Sequence, residues 1–342
     1  MSLMTRYRQI PFRTRRLLHR CAIVGILLLA VASLVFGYWM IWLQRFVIYT
    51  RDGAVLDMDL DPTMQAGEPV KDPVLPEVGF EYLDEDESLD KDAELTQLKG
   101  YYITSNDLMD IPAVTERLKI LPKGTPVMVE VKGTTGNFFY NSRLSDNRSG
   151  SIDAAAMDEL IEFMNKRGLY TIATFPALRD YNYGLHHVED GLPEPGGWLW
   201  MDNGAYWLNP GSQGTVSYLV SIITELRELG FDEVVLDDFY FPDSSSYVFK
   251  GNKDETLANT AQTLVTTCGT DRFAVSFVSR GKLPLPEGRS RLYLEKVAAS
   301  RVEQVAVDSG LLMPQVQLVF ITDIHDTRFD AYGVLRPIDS AF

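Results

Sequence analysis

The sequence predicts an α/β fold: a (β/α)8 TIM barrel, with irregularity expected in its last strands, preceded by one transmembrane helix. Short apolar runs alternate with amphipathic stretches from residue 99 onward, a pattern typical of a parallel sheet covered by helices on both faces. Eight such runs fit into residues 99–342, close to the roughly 250 residues that such a barrel needs. A run of 23 uncharged residues, 21–43, precedes them.

The composition is that of a globular protein, with 46% hydrophobic and 23% charged residues. The formal net charge is −15 over 342 residues, which argues against a nucleic-acid partner because such a partner requires a basic surface. The two cysteines, Cys21 and Cys268, cannot form a disulfide framework and belong to no Cys/His cluster of the kind that binds zinc. The sequence therefore indicates neither a cofactor nor a metal site.

Residues 1–43 predict a membrane anchor. Residues 1–20 form a basic tail with six arginines and no acid, and residues 21–43 carry no charge. As a helix the second segment is roughly 34 Å long, enough for a hydrocarbon core of about 30 Å. A cleavable signal peptide is the alternative, but its apolar region has only about 7–15 residues. The positive-inside rule places the basic tail in the cytoplasm and the bulk of a single-pass cell-membrane protein outside.

Residues 44–98 predict an acidic stalk. Asp and Glu dominate from residue 52 onward, and four prolines interrupt any periodicity: Pro62, Pro69, Pro73 and Pro76. Such a segment repels itself and forms a tether without a fixed fold. Calcium binding by the acidic run is the alternative, but its spacing lacks the order and the turn glycine of an EF-hand.

The outer domain, residues 99–342, contains eight candidate strands. They are 100–104, 126–131, 169–174, 233–237, 273–277, 291–294, 317–321 and 332–335. Amphipathic helices are predicted over 152–167, with Ser151 or Asp153 as N-cap, and over 215–229, ended by Gly230. Residues 281–290 show no helical pattern. A doubly wound open sheet is the competing fold, but no GxGxxG motif follows the first strand, which weakens a nucleotide-binding interpretation.

Acidic residues follow most of the candidate strands, where the catalytic groups of such a barrel stand. They are Glu130, Asp180, Asp237, Asp238, Glu295, Asp323 and Asp326. Paired carboxylates suit glycoside hydrolysis, in which one attacks the sugar or activates water and the other protonates the leaving oxygen. Because neighbouring strand residues point to opposite faces, only one of Asp237 and Asp238 can face the barrel interior.

The segment GFDEVVLDDFYFP, residues 230–242, resembles the GFDEIQFDYIRFP signature of a TIM-barrel family described as "putative glycoside hydrolases". It is also similar to the GFDGVFLD strand of polygalactosaminidase-type barrels. The resemblance covers roughly residues 99–342 and implies a catalytic role for Asp237, which matches the last Asp of both motifs. Looser similarities lie around Glu130, over 169–180 and over 207–210. Two arginines and one aspartate of the family's motifs are replaced here by Tyr240, Thr174 and Asn209.

The expected catalytic pair is Asp237, as nucleophile or stabiliser, with Glu130 or Glu295 as proton donor. Glu130 is favoured because strands two and four lie two places apart, and inward residues of alternate strands share a layer. Structural roles remain as alternatives: an ion pair of Asp237 with Arg280, an ion pair of Glu130 with Lys132 or Arg179, and a helix start at Glu295.

The expected substrate-binding residues are Asp180, Trp207, Tyr240, Arg280, Asp323 and Asp326. Aromatic rings suit stacking against sugars, and four of them follow the third strand: Trp198, Trp200, Tyr206 and Trp207. Packing of a hairpin is their alternative role. His186 and His187 could bind a metal ion, but paired surface histidines commonly bind nothing.

These expectations define a membrane-anchored, extracytoplasmic glycosidase-like hydrolase that acts on a polysaccharide of the cell envelope or the environment. The alternative is a non-catalytic glycan-binding or envelope-scaffolding barrel. A membrane-tethered deacetylase or phosphodiesterase ranks last, because it needs metal ligands and the chain has only four histidines.

Overall fold

The structure, a computed structural model, describes residues 25, 31–33, 35–39, 47–50, 53–56, 95–280 and 283–341. The chain divides into two compact units, Met1–Val78 and Gly79–Phe342. Each unit is treated separately below.

In the first unit, residues 25, 31–33 and 35–39 are helical. Val47–Thr50 and Gly53–Leu56 pair as an antiparallel hairpin, which lies within the predicted stalk, residues 44–98. Among the residues described, no helix has both the length and the apolar character needed to cross a bilayer. Most of the predicted anchor, 21–43, lies outside the described residues.

The second unit is a closed barrel of eight parallel strands, which confirms the predicted fold class. We label the strands in chain order: β1 Lys99–Ile103, β2 Pro126–Glu130, β3 Tyr170–Pro176, β4 Glu233–Asp237, β5 Ala274–Val278, β6 Leu292–Glu295, β7 Leu318–Ile321 and β8 Gly333–Pro337. Each strand pairs with its neighbours in the sequence, and β8 closes on β1. All eight lie within one or two residues of the predicted positions.

Helices cover the outside of the barrel. They are α1 Ile111–Leu118, α2 Ala154–Arg167, α3 Tyr181–His186, α4 Gln213–Glu228, α5 Lys253–Cys268, α6 Val302–Asp308 and α7 Pro314–Gln317. Asp153 caps α2, since its carboxylate accepts backbone hydrogen bonds from the first turn. Gly168 ends that helix in the left-handed conformation at φ 72°.

The last third of the barrel is less regular, as expected. Between β5 and β6 the described residues, 279–280 and 283–291, form no helix. A 3-10 helix, Thr327–Ala331, connects β7 to β8. Four further 3-10 helices lie among the described residues, at Asp107–Asp110, Val188–Asp190, Ala299–Arg301 and Ile338–Ala341.

Each strand, or the residue just before it, contributes one residue to an inner cluster that fills the barrel interior. These residues are Leu98, Met128, Ile172, Val235, Val278, Tyr293, Val319 and Leu335. Since strand residues alternate between faces, the residues two and four positions away from them also point inward. The outward residues pack against the helices in a second, larger core.

The strand registers place inward residues of alternate strands in shared layers. Glu130 pairs with Thr174 of β3, and Thr174 pairs with Val235 of β4, so Glu130 is in register with Val235. Asp237 lies two positions further along β4. Leu236 of β4 and Leu292 of β6 both pair with Phe277 of β5. Asp237 is therefore in register with Tyr293, and Glu295 lies two positions further along β6. In a (β/α)8 barrel, residues at the same height along the barrel axis are displaced by about one position from each strand to the next. The displacement of two positions between alternate strands therefore brings the three acids to one height.

A buried charged network closes the opposite end of the barrel. Glu233 on β4 and Arg291 next to β6 form an ion pair with a nitrogen–oxygen distance of 2.5 Å, and both are fully buried. The Glu233 carboxylate also accepts hydrogen bonds from Tyr170, Ser276 and Tyr293. Such complete pairing is what a buried charge requires.

Candidate active site

Three carboxylates meet at the carboxyl end of the barrel. Glu130, Asp237 and Glu295 are the last residues of β2, β4 and β6. Together with Pro337, the last residue of β8, they form the uppermost layer of the barrel that is built from even-numbered strands, which we call the mouth layer. All three acids are partly buried. The structure therefore brings the three predicted catalytic residues together, while their roles stay predictions.

Asp237 lies between the other two acids around the barrel. Its Oδ1 accepts a hydrogen bond of 2.6 Å from the backbone N–H of Asp238. This hydrogen bond fixes the orientation of the carboxylate. The position of Asp237 in the mouth layer fits the role of nucleophile or stabiliser of positive charge.

The backbone turns sharply after two of the three acids. Asp238 and Lys296 follow Asp237 and Glu295 directly and have φ values of 49° and 58°. In the described part of the chain, Asn203 is the other non-glycine residue in this left-handed region. Such backbone strain is found preferentially at functional sites.

The loop after β1 orients the Glu130 side chain. Its Oε2 accepts a 2.7 Å hydrogen bond from the backbone N–H of Ser105, which ties the side chain to the loop after β1. Of the two ion-pair partners proposed from the sequence, Lys132 contacts Asp180, and Arg179 contacts Asp238.

Asp238 directly follows the mouth layer and binds two arginines. Its Oδ2 accepts a 3.2 Å hydrogen bond from Arg179, and its Oδ1 lies 3.7 Å from a terminal nitrogen of Arg280. Arg280, proposed from the sequence as a partner of Asp237, thus contacts its neighbour. The two cations lie close to the place of the family arginine that Tyr240 replaces.

Tyr240 and Trp207 support these arginines. The Arg280 guanidinium lies 3.9 Å from the centre of the Tyr240 ring, and that ring packs edge-on against Trp207 at 5.0 Å. Trp207 is buried and is stacked by Arg179 at 5.4 Å. Burial raises the pKa of Tyr240 to about 12, assisted by the negative charge of Asp238. The phenol is therefore neutral at physiological pH.

Asp180 is buried beneath the loops of the site. Its carboxylate forms a 2.7 Å ion pair with Lys132, in which neither side chain is more than 1% exposed, and accepts a hydrogen bond from Tyr218. It also caps α3 through the backbone N–H of Tyr183. These contacts tie the loop after β2 to the insertion after β3, which is a structural task.

The two predicted acids after β7 differ from each other. Asp323 is exposed. Asp326 caps the following 3-10 helix and is bound by both ends of the Arg328 guanidinium at 3.0 and 2.8 Å. The hydrogen bonds from Arg328 lower the pKa of Asp326.

The aromatic insertion contains a short hairpin, Met201–Asp202 with Ala205–Tyr206. Trp200 and Trp207 stack on each other at 6.2 Å, and Tyr206 stacks on Tyr181 at 5.4 Å. Trp198 is 78% exposed. Hairpin packing therefore accounts for three of the four rings, and Trp198 is the ring available to a ligand.

A second group of polar residues lies at the end of α3. His187, Glu189 and Asp190 offer ligand atoms within 4.8 Å of one another, a set of donors that could hold a divalent cation. Both carboxylate oxygens of Asp190, however, already accept hydrogen bonds, from Tyr183 and from Ser212. Its position in the insertion separates this cluster in sequence from the mouth layer.

The sequence did not predict the arrangement around Asp238. The sequence offers Arg179 only as a partner of Glu130, and the hydrogen bond from Ser105 to Glu130 involves a backbone atom that no side-chain pattern reveals. The available signal for Arg179 was its position at the end of β3, next to the strand that carries Asp237.

Comparison with known proteins identifies a family. Residues 100–272, half of the chain, match the family described as "Putative glycosyl hydrolase domain". The match includes Glu130 and Asp237 and ends before Glu295. It supports the expectation of a glycosidase. No curated protein sequence matches the chain.

Several solved structures are similar at low sequence identity. A hypothetical protein from Ruminiclostridium thermocellum is 18% identical with a TM-score of 0.44, over 52% of this chain and 96% of that one. The alpha-galactosidase from Thermus thermophilus is 11% identical with a TM-score of 0.48, over 73% and 60%. The glycoside hydrolase domain of PelA from Pseudomonas aeruginosa is 12% identical with a TM-score of 0.45, over 72% and 96%.

Proposed function

The chain belongs to the family described as "Putative glycosyl hydrolase domain", and from that premise we propose that it hydrolyses glycosidic bonds of a polysaccharide at the mouth layer. The observation that carries this proposal is that Glu130, Asp237 and Glu295 end alternate strands at one height. Glycoside hydrolysis requires two carboxyl groups on either side of the scissile bond. A layer with three of them meets that requirement.

Asp237 is the nucleophile or charge-stabilising group in this proposal. Its carboxylate, oriented by the N–H of Asp238, can attack the anomeric carbon or stabilise an oxocarbenium-like transition state. It has a carboxylate neighbour on each side in the mouth layer. Either neighbour can therefore be the second member of the pair on geometric grounds.

We favour Glu295 as the proton donor, in place of the Glu130 favoured on sequence grounds. A proton donor must present its carboxyl group to the leaving oxygen, whereas the Glu130 carboxylate is bound by the backbone N–H of Ser105 in the loop after β1. The left-handed residue after each of Asp237 and Glu295 is a second feature that these two share. Glu130 then accepts hydrogen bonds from sugar hydroxyl groups.

The distance between the two carboxyl groups determines the stereochemistry. About 5 Å suits a retaining enzyme, in which Asp237 forms a glycosyl intermediate that water then hydrolyses. About 6.5–9.5 Å suits inversion, in which water attacks directly. Proton NMR of the first product anomer distinguishes the two mechanisms.

Catalysis is tested by glycan hydrolysis. The purified protein is screened against envelope and environmental polysaccharides for release of reducing ends, with the Asp237→Asn variant as control. Turnover by the wild-type protein that the variant lacks supports the proposal. Binding of a glycan without turnover would instead establish the non-catalytic glycan-binding barrel.

We further propose that residues 21–43 anchor the protein in the cell membrane with the barrel domain outside. The support is the uncharged run of 23 residues and the six arginines that precede it. Protease added to intact cells should remove the barrel domain and leave the basic tail protected. Full protection of the barrel would reverse this assignment.

A further inference from the structure

We propose that Arg280 forms a binding site for the carboxylate of a hexuronic acid residue, so that the substrate of this barrel is an acidic polysaccharide. The inference rests on the proposed glycosidase function and adds the chemical class of the sugar. It derives from the position, the packing and the charge of Arg280.

Arg280 lies at the rim of the mouth. It follows β5 and stands two positions after Val278, a residue of the inner cluster and the last residue of that strand. Strand β5 lies between β4 and β6, which carry Asp237 and Glu295. A sugar bound by these two acids therefore lies within reach of the Arg280 side chain, which is 56% exposed.

The guanidinium group is presented in a fixed orientation. One face lies on the Tyr240 ring at 3.9 Å, and Tyr240 is supported edge-on by the buried Trp207. Stacking uses the face of the guanidinium and leaves the N–H donors along its edge, which match a carboxylate in a planar, bidentate arrangement. An exposed arginine held by an aromatic ring also loses less side-chain entropy when it binds.

The charges around Arg280 favour an anion at this one place. Asp238 is shared by two guanidinium groups, with a hydrogen bond of 3.2 Å to Arg179 and a longer distance of 3.7 Å to Arg280. Asp238 thus compensates one of the two positive charges. The carboxylates of the mouth layer repel an anionic substituent that points away from Arg280. A uronate residue would therefore bind with its carboxylate toward Arg280.

The test is a binding measurement with matched polymers. The Asp237→Asn variant, which we expect to bind without turnover, is measured by affinity electrophoresis against polygalacturonate, polymannuronate and hyaluronate, each beside its carboxyl-reduced form. We expect at least one uronate polymer to bind about 10- to 100-fold more tightly than its reduced form, the range for a charge-assisted hydrogen-bonded pair. Adding Arg280→Gln should remove that preference, and Arg280→Lys should restore part of it.

Arg272→Gln is the matched control, because Arg272 is an exposed arginine just before the opposite end of β5. It should leave the preference unchanged. Equal binding of carboxylated and reduced polymers, or a preference that survives Arg280→Gln, would overturn the uronate site. Cleavage of a neutral glycan by the wild-type protein would then still leave the glycosidase proposal intact.

Arg280 could also act through Asp237 by favouring its ionised form. In that case Arg280→Gln would lower turnover of carboxylated and reduced polymers alike and shift the acid limb of the pH–rate profile. That outcome would make Arg280 a positioning residue and refute the substrate assignment.

Discussion

Glu233 and Arg291 form a buried ion pair of 2.5 Å across the barrel interior, and Asp237 and Glu295 stand four positions further along the same two chain segments. The ion pair shows that inward residues of β4 and β6 with this stagger reach each other past β5. The same stagger applies at the mouth. The barrel thus repeats one geometric relationship at both ends, with opposite charges at the base and two carboxylates at the mouth.

The Glu233–Arg291 ion pair contributes to the stability of the fold. Glu233→Gln leaves the Arg291 charge buried without its carboxylate, and breaking such a pair costs about 3–5 kcal/mol. Urea denaturation should show this loss in the free energy of unfolding. Glu162→Gln, which removes the exposed partner of Lys166, should change it by less than about 1 kcal/mol. Equal effects of the two variants would contradict the importance of the buried network.

The assignment of the proton donor can be tested with leaving groups of different acidity. Removing a general acid slows hydrolysis of the natural glycan by about 10²–10⁴-fold but spares activated aryl glycosides, whose leaving group needs no proton. We expect Glu295→Gln to show this difference and Glu130→Gln to slow both substrates alike. The reverse result would assign the proton to Glu130, as the sequence alone suggests.

The Asp326–Arg328 pair predicts a pH-dependent contribution to stability. Because the pKa of Asp326 is lowered in the folded state, its charge stabilises the fold above the ordinary Asp pKa of about 3.9, and this contribution is lost as the pH falls through the lowered value. Asp326→Asn should therefore lower the melting temperature slightly at pH 7. The difference from the wild-type protein should shrink at pH 3. A difference that grows in acid would contradict this sign.

The barrel itself was predictable because its signals are local. Runs such as residues 233–237 and the alternating pattern of residues 152–167 reflect burial on the two sides of each element. The start of β4 could also be read from Gly230 and the apolar run that follows it. Strand boundaries were accordingly right to within one or two residues.

Partners across the barrel were not predictable, because they depend on how the sheet closes. Lys132 was considered as a partner of Glu130 two residues earlier, yet it binds Asp180, 48 positions away in the chain. Arg291 reads as part of an apolar strand, and only the strand stagger brings it to Glu233. Alternation along a strand predicts which residues point inward, but the register between strands determines which of them meet.

The most direct test of catalysis at the mouth layer is the rate at which the Asp237→Asn variant hydrolyses a glycan that the wild-type protein cleaves. Loss of the charge that stabilises the transition state should lower kcat by at least about 10³-fold while binding of the glycan persists. Asp243→Asn, at an exposed acid just beyond the same strand, should retain wild-type turnover. An Asp237→Asn variant that keeps wild-type kcat would show that hydrolysis takes place without this carboxylate and would refute the account.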